Sequence, residues 1–375
     1  MLGVIGLGYV GFTSLLGFTQ YSSKTIGYDI SSKLIEELKR GNLHIKDNEM
    51  QNHYQDNYRN LNLTDELSDL SQCTDIIVAV PTEATELGLD LSIVESVLDE
   101  IANLNNEVII WIRSTVDDPD LFKKLSHKYD NTIIFFPEFL REGKCWLDFN
   151  QPSLTVVGST TINKENFLLQ LIKKNTDKVE FCSASEAITL KLACNSFHAL
   201  KVCFANEINN LSWGDDIDSS YVMEMFVKDI QLNISDAYLK PGLPFGGPCL
   251  PKDTFALSMA TNDKNNLFSR LLEVNEKHKT TWAKKINSLP QNIIGFVGLE
   301  FKPNTGDLKN SPIIDILNLL DNKKILILEE DQIKSKGLNG FATTQSIESM
   351  INDADVVITY DKTIVGDNVM YWDQL

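Results

Sequence analysis

A cysteine in a glycine- and proline-rich loop is the residue whose surroundings most directly suggest chemistry. Cys249 follows two glycines in the segment 244–253, which reads PFGGPCLPKD, and Lys252 and Asp253 come shortly after it. A thiolate is the strongest nucleophile that proteins offer near neutral pH, and a nearby lysine or helix start favours it. Asp253 could orient a water molecule or accept a proton. The same residues would also fit a surface loop whose cysteine is inert.

A second pattern, near the N-terminus, indicates a dinucleotide site. Residues 6–11 read GLGYVG, directly after an apolar run and at the start of a helical pattern. In such a G-x-G-x-x-G turn the glycines let a pyrophosphate approach the backbone, and the helix N-terminus favours its charge. Asp29 ends the next strand, where a carboxylate accepts hydrogen bonds from ribose hydroxyls and repels a 2′-phosphate. We therefore expect NAD rather than NADP, the alternative being a glycine-rich turn between packed elements.

Two further pairs of residues have the spacing of one helical turn. Glu138 and Glu142 follow an apolar run, at the carboxyl edge where α/β sheets bind ligands, and a helix there would present both carboxylates to one site. An exposed acidic helix start is the alternative. Lys191 and Asn195 lie four residues apart within a long helical pattern and face one direction. Taken alone, such a pair is also typical of a solvated surface.

These residues must be positioned by an alternation of short apolar runs and amphipathic segments. Continuous apolar runs separated by helical segments predict a parallel sheet covered on both faces. The runs of the first sheet are 4–5, 25–29, 76–80, 108–112 and 132–136, and we expect 154–158 and 179–182 to complete it. Residues 185–212 contain neither Pro nor Gly and predict a long helix with Ser185 as its N-cap. After Pro290 the strand–helix alternation returns.

The predicted fold class is therefore α/β. We expect an N-terminal Rossmann domain over residues 1–183, a central helical domain with the cysteine loop over 184–285, and a smaller C-terminal Rossmann-like domain over 286–375.

The composition limits the classes of partner. The 375 residues include 34 Lys and Arg against 52 Asp and Glu, a net charge of −18, which disfavours nucleic acid or an anionic membrane as the main partner. The six cysteines form neither a C-x-x-C pair nor a Cys/His cluster at zinc spacing, so we expect reduced thiols and no metal site. No signal peptide or membrane-spanning run is recognisable, so we expect a cytoplasmic protein.

Taken in order, the motifs resemble those of the UDP-glucose/GDP-mannose dehydrogenase family. Besides the glycine turn and the cysteine loop they are VPT at 80–82, STV at 114–116, PEFLRE at 137–142, K-x-x-x-N at 191–195, FANE at 204–207 and GLEFK at 298–302. The resemblance implies an NAD-dependent nucleotide-sugar 6-dehydrogenase whose central helical segment forms a homodimer. Such enzymes oxidise the sugar C6 alcohol twice, with two NAD reduced and no release of the aldehyde.

The resemblance also implies roles in this chemistry. Cys249 would add to the aldehyde as a thiohemiacetal, and the second oxidation would leave a thioester for hydrolysis. Lys191 would stabilise the developing oxyanion with help from Asn195.

Other residues would manage water, cofactor and substrate. Asp253 and Glu138 would position or deprotonate water, held partly by Thr115. The cofactor-binding residues that the resemblance implies are Gly6, Gly8, Tyr9, Val10, Gly11, Asp29, Pro81, Thr82, Thr115, Glu142 and Lys309. The substrate-binding residues that it implies are Phe139, Leu140, Glu142, Lys191, Asn195, Phe245, Gly246 and Lys302.

Departures from the family pattern bear on the nucleotide. Lys309 stands where the family usually has Arg, which keeps the charge but loses the bidentate fork for phosphate. Asn233 falls where many UDP-glucose enzymes have Arg, and Asp236 falls where GDP-mannose enzymes often have one. We expect a UDP-glucose 6-dehydrogenase type, with GDP-mannose as the alternative substrate.

Other classes of protein fit the residues less well. A short-chain epimerase or reductase needs a Tyr-x-x-x-Lys pair, which the sequence lacks. A 3-hydroxyacid dehydrogenase would not need the cysteine loop or the second α/β domain. A nucleotide-sugar or NAD-binding protein without turnover remains the non-enzymatic alternative, and it would leave Cys249, Lys191 and the two glutamates unexplained.

Overall fold

The computed structural model describes residues 1–86, 88–104, 107–118, 120–211, 217–235, 238, 242–247, 249–261, 263–300 and 308–375. The chain forms two compact units, Met1–His198 and Ala199–Leu375. The three-part division expected from the sequence stays a prediction. Among the described ranges, no helix has both the length and the apolar character needed to cross a bilayer.

The first unit is built on parallel strands with helices between them. Its strands are β1 (Leu2–Ile5), β2 (Thr25–Tyr28), β3 (Leu63–Thr64), β4 (Asp75–Val78), β5 (Glu83–Thr85), β6 (Gly88–Asp90), β7 (Ile109–Ile112), β8 (Ile133–Phe135), β9 (Thr155–Val157) and β10 (Val179–Phe181). Its helices are α1 (Tyr9–Thr19), α2 (Ser32–Lys39), α3 (Asn48–Asn57), α4 (Ser92–Leu104), α5 (Leu121–Lys128), α6 (Cys145–Asn150) and α7 (Phe167–Asn175), followed by α8 (Ala184–Asn209), which runs past His198.

The main sheet of this unit has the topology of a doubly wound dinucleotide-binding fold. Six parallel strands lie in the order β3-β2-β1-β4-β7-β8, so the direction of winding reverses between β1 and β4. Ligands of such sheets bind at the carboxyl ends of the strands beside this reversal. Every residue of β1 and of β4 is buried, as the continuous apolar runs predict.

A buried carboxylate lies among the apolar side chains of this sheet. Asp75, at the start of β4, is 1% exposed and accepts hydrogen bonds from Trp111 Nε1 at 2.9 Å and from Asn166 Nδ2 at 2.6 Å. A buried carboxylate is tolerated because these donors replace water. The network therefore fixes α7, which begins just after Asn166, against the amino edge of the sheet.

The expectation that residues 154–158 and 179–182 complete the main sheet is wrong. Strands β9 and β10 pair with each other in a separate two-stranded parallel sheet. An antiparallel bridge joins Phe135 to Gly158, whose N–H donates to the Phe135 carbonyl oxygen at 2.8 Å. The chain here runs opposite to β8, so the parallel ladder ends at β8.

The second unit contains another parallel sheet. Its strands are β11 (Ile293–Val297), β12 (Lys324–Leu328), β13 (Ala342–Thr344), β14 (Val356–Thr359) and β15 (Val369–Tyr371), in the order β13-β12-β11-β14-β15. Its helices, after the end of α8, are α9 (Ser219–Phe226), α10 (Leu250–Met259), α11 (Leu267–Asn287), α12 (Pro312–Leu317), α13 (Glu329–Lys334) and α14 (Ile347–Asp353). The predicted α/β class, with one Rossmann-type sheet in each half of the chain, is confirmed.

The N-cap of helix α8 lies two residues before the predicted one, at Ser183. The Ser183 hydroxyl oxygen accepts from the Glu186 N–H at 3.2 Å, and the Glu186 carboxylate accepts from the Ser183 N–H at 2.8 Å. This reciprocal pair is a capping box. Ser185 therefore lies inside the helix, and the expectation that it is the N-cap is wrong.

We predict that Ser183→Ala lowers the free energy of unfolding by about 1 kcal/mol, because the first turn of α8 loses its capping oxygen. Urea denaturation followed by circular dichroism measures the change. Ser183→Thr keeps a capping hydroxyl and should lose much less. Equal losses in the two variants would show that the hydroxyl does not stabilise the helix start.

Candidate active site

The glycine turn between β1 and α1 has the shape of a pyrophosphate cradle. Gly6 has φ = +85°, and a Cβ there would lie 2.6 Å from the Ala79 carbonyl oxygen. A Cβ on Gly11 would lie 1.8 Å from the Gly6 carbonyl oxygen. A Cβ on Gly8 would meet no described atom within 4 Å. Two glycines are thus required by packing, while Gly8 borders open space at the start of α1, where N–H groups lack intrahelical partners.

Asp29 lies against this turn. Its two carboxylate oxygens accept hydrogen bonds from the Leu7 N–H at 2.8 Å and from the Ser31 N–H at 2.9 Å. Each oxygen keeps a further lone pair for a ribose hydroxyl. Burial lowers the pKa of nearby His44, opposed by the Asp29 charge. The hydrogen bonds from Leu7 and Ser31 hold the Asp29 carboxylate in place before any ligand binds, as a ribose-binding acid requires.

The next two residues of the turn contribute through their backbone. The Tyr9 ring packs against the hydrophobic core, and burial, together with neighbouring Cys145, raises the pKa of its phenol. The ring is therefore turned into the protein, and the Tyr9 and Val10 N–H groups in the first turn of α1 are what the loop offers to an anion. This arrangement fits the pyrophosphate of a dinucleotide.

The segments after β4 and β7 are joined at the carboxyl edge of the sheet. The Thr82 hydroxyl donates to the Thr115 carbonyl oxygen at 2.9 Å, and the Ser114 hydroxyl donates to the Val80 carbonyl oxygen at 2.7 Å. Pro81 is exposed between them. These bonds align two of the segments that the sequence assigns to cofactor binding.

A buried ion pair lies after β8 at the same edge. Lys191 Nζ lies 2.6 Å from Glu138 Oε1 and donates to the Glu138 carbonyl oxygen at 2.7 Å. The two side chains are 6% and 14% exposed. Lys191 Nζ also lies 5.6 Å from the centre of the Phe139 ring. The structure thus joins two residues for which the family resemblance implied separate roles.

The helical reading of Glu138 and Glu142 is wrong. Residues 136–141 form no helix, because the Leu140 N–H is taken by Glu138 Oε2 at 2.7 Å and the Arg141 N–H by Asp148 Oδ2 at 2.8 Å. The carboxylates replace the carbonyl acceptors that a helix would use. Glu142 is exposed, whereas Glu138 faces Lys191.

Sequence reasoning missed Arg113, which stands next to Ser114. It is 7% exposed, and its Nη1 donates long bonds to the carbonyl oxygens of Phe136 and Pro137, at 3.4 and 3.5 Å. Burial lowers the pKa of its guanidinium to about 10, opposed by the charge of Glu138, so the group stays charged at neutral pH. The sequence feature that could have pointed to this residue is a single arginine directly after the apolar run 108–112.

The cysteine loop belongs to the second unit. Cys249 is exposed and is the N-cap of α10, with Pro251 in the first turn. The Asp253 N–H donates to the Cys249 carbonyl oxygen at 2.9 Å, and Lys252 Nζ lies 3.2 Å from Asp253 Oδ1. The positive end of a helix dipole favours negative charge at this position. A helix start beside the cysteine was one of the two features expected to favour a thiolate.

The remaining predicted site residues differ in exposure. Asn195 and Lys309 are exposed, Leu140 and Phe245 are half-buried, and Gly246 packs closely against another segment. Lys302 lies outside the described residues.

Comparisons with known proteins agree with this geometry. Residues 1–176 match the NAD-binding domain of the UDP-glucose/GDP-mannose dehydrogenase family, and residues 183–277 match its central domain. A UDP-glucose 6-dehydrogenase from Campylobacter jejuni is 30% identical over 346 residues, covering 89% of this chain and 87% of that protein. A GDP-mannose 6-dehydrogenase from Pseudomonas putida is 29% identical over 390 residues, covering 98% and 89%.

A solved structure is similar over nearly the whole chain. It is the ternary complex of a GDP-mannose dehydrogenase from Pseudomonas aeruginosa, with a TM-score of 0.87 and 25% identity, covering 99% of this chain and 95% of that one.

The glycine cradle, the fixed Asp29 carboxylate and the ion pair at one sheet edge define an NAD-binding dehydrogenase. The chain belongs to the UDP-glucose/GDP-mannose dehydrogenase family, whose members are NAD-dependent nucleotide-sugar 6-dehydrogenases. The expected cofactor, NAD, is confirmed.

We predict that the protein binds NAD at least tenfold more tightly than NADP. A tenfold ratio corresponds to about 1.4 kcal/mol, which is roughly what one close charge repulsion supplies. Asp29→Asn removes the charge that repels the 2′-phosphate and should narrow the preference. Fluorescence titration of both cofactors measures the two dissociation constants. An unchanged ratio in Asp29→Asn, or equal binding to the unaltered protein, would contradict this role.

Proposed function

We propose that this protein oxidises the C6 alcohol of a nucleotide hexose to the uronic acid in two steps, with Cys249 as the covalent centre. The observation that carries the proposal is the placement of Cys249, exposed at the start of α10 in a loop that reads FGGPCLPKD. The family membership supports the class of reaction.

The proposed reaction consists of two oxidations, with the aldehyde as the intermediate between them. NAD, when bound, supplies the hydride acceptor for both oxidations. The Cys249 thiolate adds to the aldehyde carbon, and the resulting alkoxide takes a proton to give the thiohemiacetal. Loss of the hydride from that carbon and the proton from its hydroxyl leaves the thioester. Water then attacks the carbonyl carbon, the C–S bond breaks, and the products are the carboxylate, the free thiol and a proton.

Lys191 and Glu138 are suited to the steps in which an oxyanion forms and a water molecule loses its proton. We assign to Lys191 the stabilisation of the oxyanion, because an ammonium held rigidly in a buried site need not reorganise as negative charge develops. We assign to Glu138, with Asp253 and Thr115, the positioning or deprotonation of water. Asn195, on the exposed part of α8, would hold the oxyanion together with Lys191.

The remaining assignments concern binding. Phe139, Leu140, Glu142, Phe245, Gly246 and Lys302 stay our proposed substrate contacts. Lys309 and Glu142 stay proposed cofactor contacts, beside the glycine turn, Pro81 and Thr82.

Two nucleotide sugars are candidates, each with its own support. UDP-glucose is the substrate named for the Campylobacter relative at 30% identity. GDP-mannose is the substrate named for the Pseudomonas enzymes, one of which shares the fold with a TM-score of 0.87. A panel that includes both and N-acetylated UDP-hexoses, followed by NADH absorbance, separates them.

A homodimer is the assembly that we propose. The second unit exposes large apolar side chains that water disfavours, among them Val202 at 61%, Ile230 at 72% and Met259 at 66%. A cytoplasmic location also stays a prediction.

We predict that the substrate panel yields two NADH for each uronic acid formed from one of its members. Cys249→Ala should abolish formation of the acid, because no thiohemiacetal can form, while the fold is kept. Coupled NADH absorbance and chromatography of the sugar nucleotide measure both quantities.

Cys203→Ala serves as a matched control, since it removes another exposed thiol, one to which no role is assigned. Acid formation by Cys249→Ala at the native rate would exclude the covalent mechanism. Absence of NADH with every panel member would exclude the function itself.

We predict that the protein sediments as a dimer and that Val202→Asp shifts it toward the monomer. A charge placed in an apolar interface lacks compensating partners and disfavours association. Analytical ultracentrifugation at several concentrations measures the shift. A monomeric native protein would contradict the proposed assembly.

A further inference from the structure

The loop that carries Cys249 is held from two sides by residues to which no role in the reaction has been given. On one side lies Asn275, in the middle of α11. Its Oδ1 accepts from the Phe245 N–H at 2.9 Å, and its Nδ2 donates to the Phe245 carbonyl oxygen at 2.9 Å. One side chain thus satisfies both backbone groups of Phe245. Asn275 is 7% exposed, so water does not readily replace these bonds.

On the other side lies the segment that precedes α12. The Gly247 N–H donates to the Asn310 carbonyl oxygen at 2.9 Å. A Cβ on Gly246 would lie 2.5 Å from that same oxygen and 2.6 Å from Pro312 Cδ. Gly247 has φ = +81°. Gly246 is therefore required by a close contact with the backbone of Asn310 and Gly247 by its left-handed conformation, and the loop has little room to move toward Asn310.

We propose that Asn275 is a positioning residue for the nucleophile: it fixes Phe245, only four residues before Cys249, and so limits where Cys249 can lie at the start of α10. An amide fits this task because a single group must both accept and donate. A carboxylate offers acceptors alone, and an alanine offers neither. The expected effect on catalysis rests on the proposed two-step oxidation. The expected effect on the position of the loop rests on the hydrogen bonds alone.

The effect should fall on the oxidation of the aldehyde more than on substrate binding. A thiol displaced by about 1 Å loses on the order of 10-fold to 100-fold in rate, because covalent attack depends steeply on distance and angle. We therefore expect Asn275→Ala to lower kcat by that factor with the 6-aldehyde of the nucleotide sugar as substrate. KM should rise by a smaller factor than kcat falls, since Asn275 affects the substrate only through Phe245, which is one of several proposed substrate contacts.

The experiment combines this kinetic measurement with hydrogen exchange of the peptide that spans residues 243–255. Loss of the Asn275 amide should speed exchange of the Phe245 N–H in the whole protein. Lys277→Ala is the matched control, because Lys277 is an exposed residue of the same helix. It should change neither exchange nor kcat.

A second variant covers the case in which Asn275→Ala does not fold. Asn275→Asp keeps an acceptor for the Phe245 N–H, but its ionised form places negative charge against the Phe245 carbonyl oxygen. Protonation of the Asp side chain supplies an O–H donor for the Phe245 carbonyl oxygen. Burial raises the pKa of a carboxyl group, so protonation can fall between pH 6 and pH 8. The ratio of the variant's kcat to that of the unaltered protein should therefore be lowest near pH 8 and rise toward pH 6. A ratio of one near pH 8 would overturn the proposal.

The outcomes separate the positioning role from the proposed function. Faster exchange with a lower kcat supports the role of Asn275. Unchanged exchange, or faster exchange with an unchanged kcat, overturns it. If the unaltered protein oxidises no nucleotide sugar, the proposed function fails, and the exchange measurement still decides whether Asn275 holds the loop.

Discussion

The buried ion pair between Lys191 and Glu138 is the interaction on which the arrangement of the first unit's site depends. Removing two charges from water costs roughly several kcal/mol for each ion, so the pair persists only if other bonds repay that loss. The carbonyl oxygen of Glu138, the Leu140 N–H and the Phe139 ring supply them. Because Lys191 is part of α8 and Glu138 follows β8, the pair fixes the long helix against the edge of the sheet. Arg113 adds a further buried positive charge near Glu138, so this edge suits a reaction that develops negative charge.

A net charge of −18 disfavours ligands as anionic as NAD and a nucleotide sugar on average, but binding depends on the local electric field rather than on the total charge. The first turn of α1 offers N–H groups, and Gly8 leaves the space beside them open. Lys191 and Arg113 bring positive charge to the same sheet edge. The acidic surface elsewhere disfavours nonspecific polyanions, so the two properties are compatible.

Elements with a local signal could be predicted from the sequence, whereas contacts between distant segments could not. The glycine turn, Asp29 and α8 follow from patterns within a few residues, because helix and strand periodicity is local. The contact between Lys191 and Glu138 joins residues 53 apart, and no spacing indicates it. A separation of four residues fits both a helix and a loop, and the choice at Glu138 was decided by where the N–H groups of Leu140 and Arg141 found acceptors. The Ser183 cap could have been predicted: Ser183 is followed three residues later by Glu186, the spacing of a capping box, whereas Ser185 is followed at that spacing by Ile188.

The two parallel sheets show how one topology acquires different ligands. In both, the direction of winding reverses beside the first strand, and the turn after that strand contains a glycine with positive φ, Gly6 in one and Gly298 in the other. In the first sheet the turn continues to Gly8, which faces open space. In the second, a Cβ on Gly298 would lie 2.7 Å from the Tyr360 ring, whose hydroxyl is hydrogen-bonded to Glu300. The residue two places after this glycine is Glu300, where the first turn has the open Gly8, so a dinucleotide pyrophosphate bound as in the first turn would meet a carboxylate. The sequence of the turn, rather than the fold, therefore assigns the dinucleotide to the first sheet.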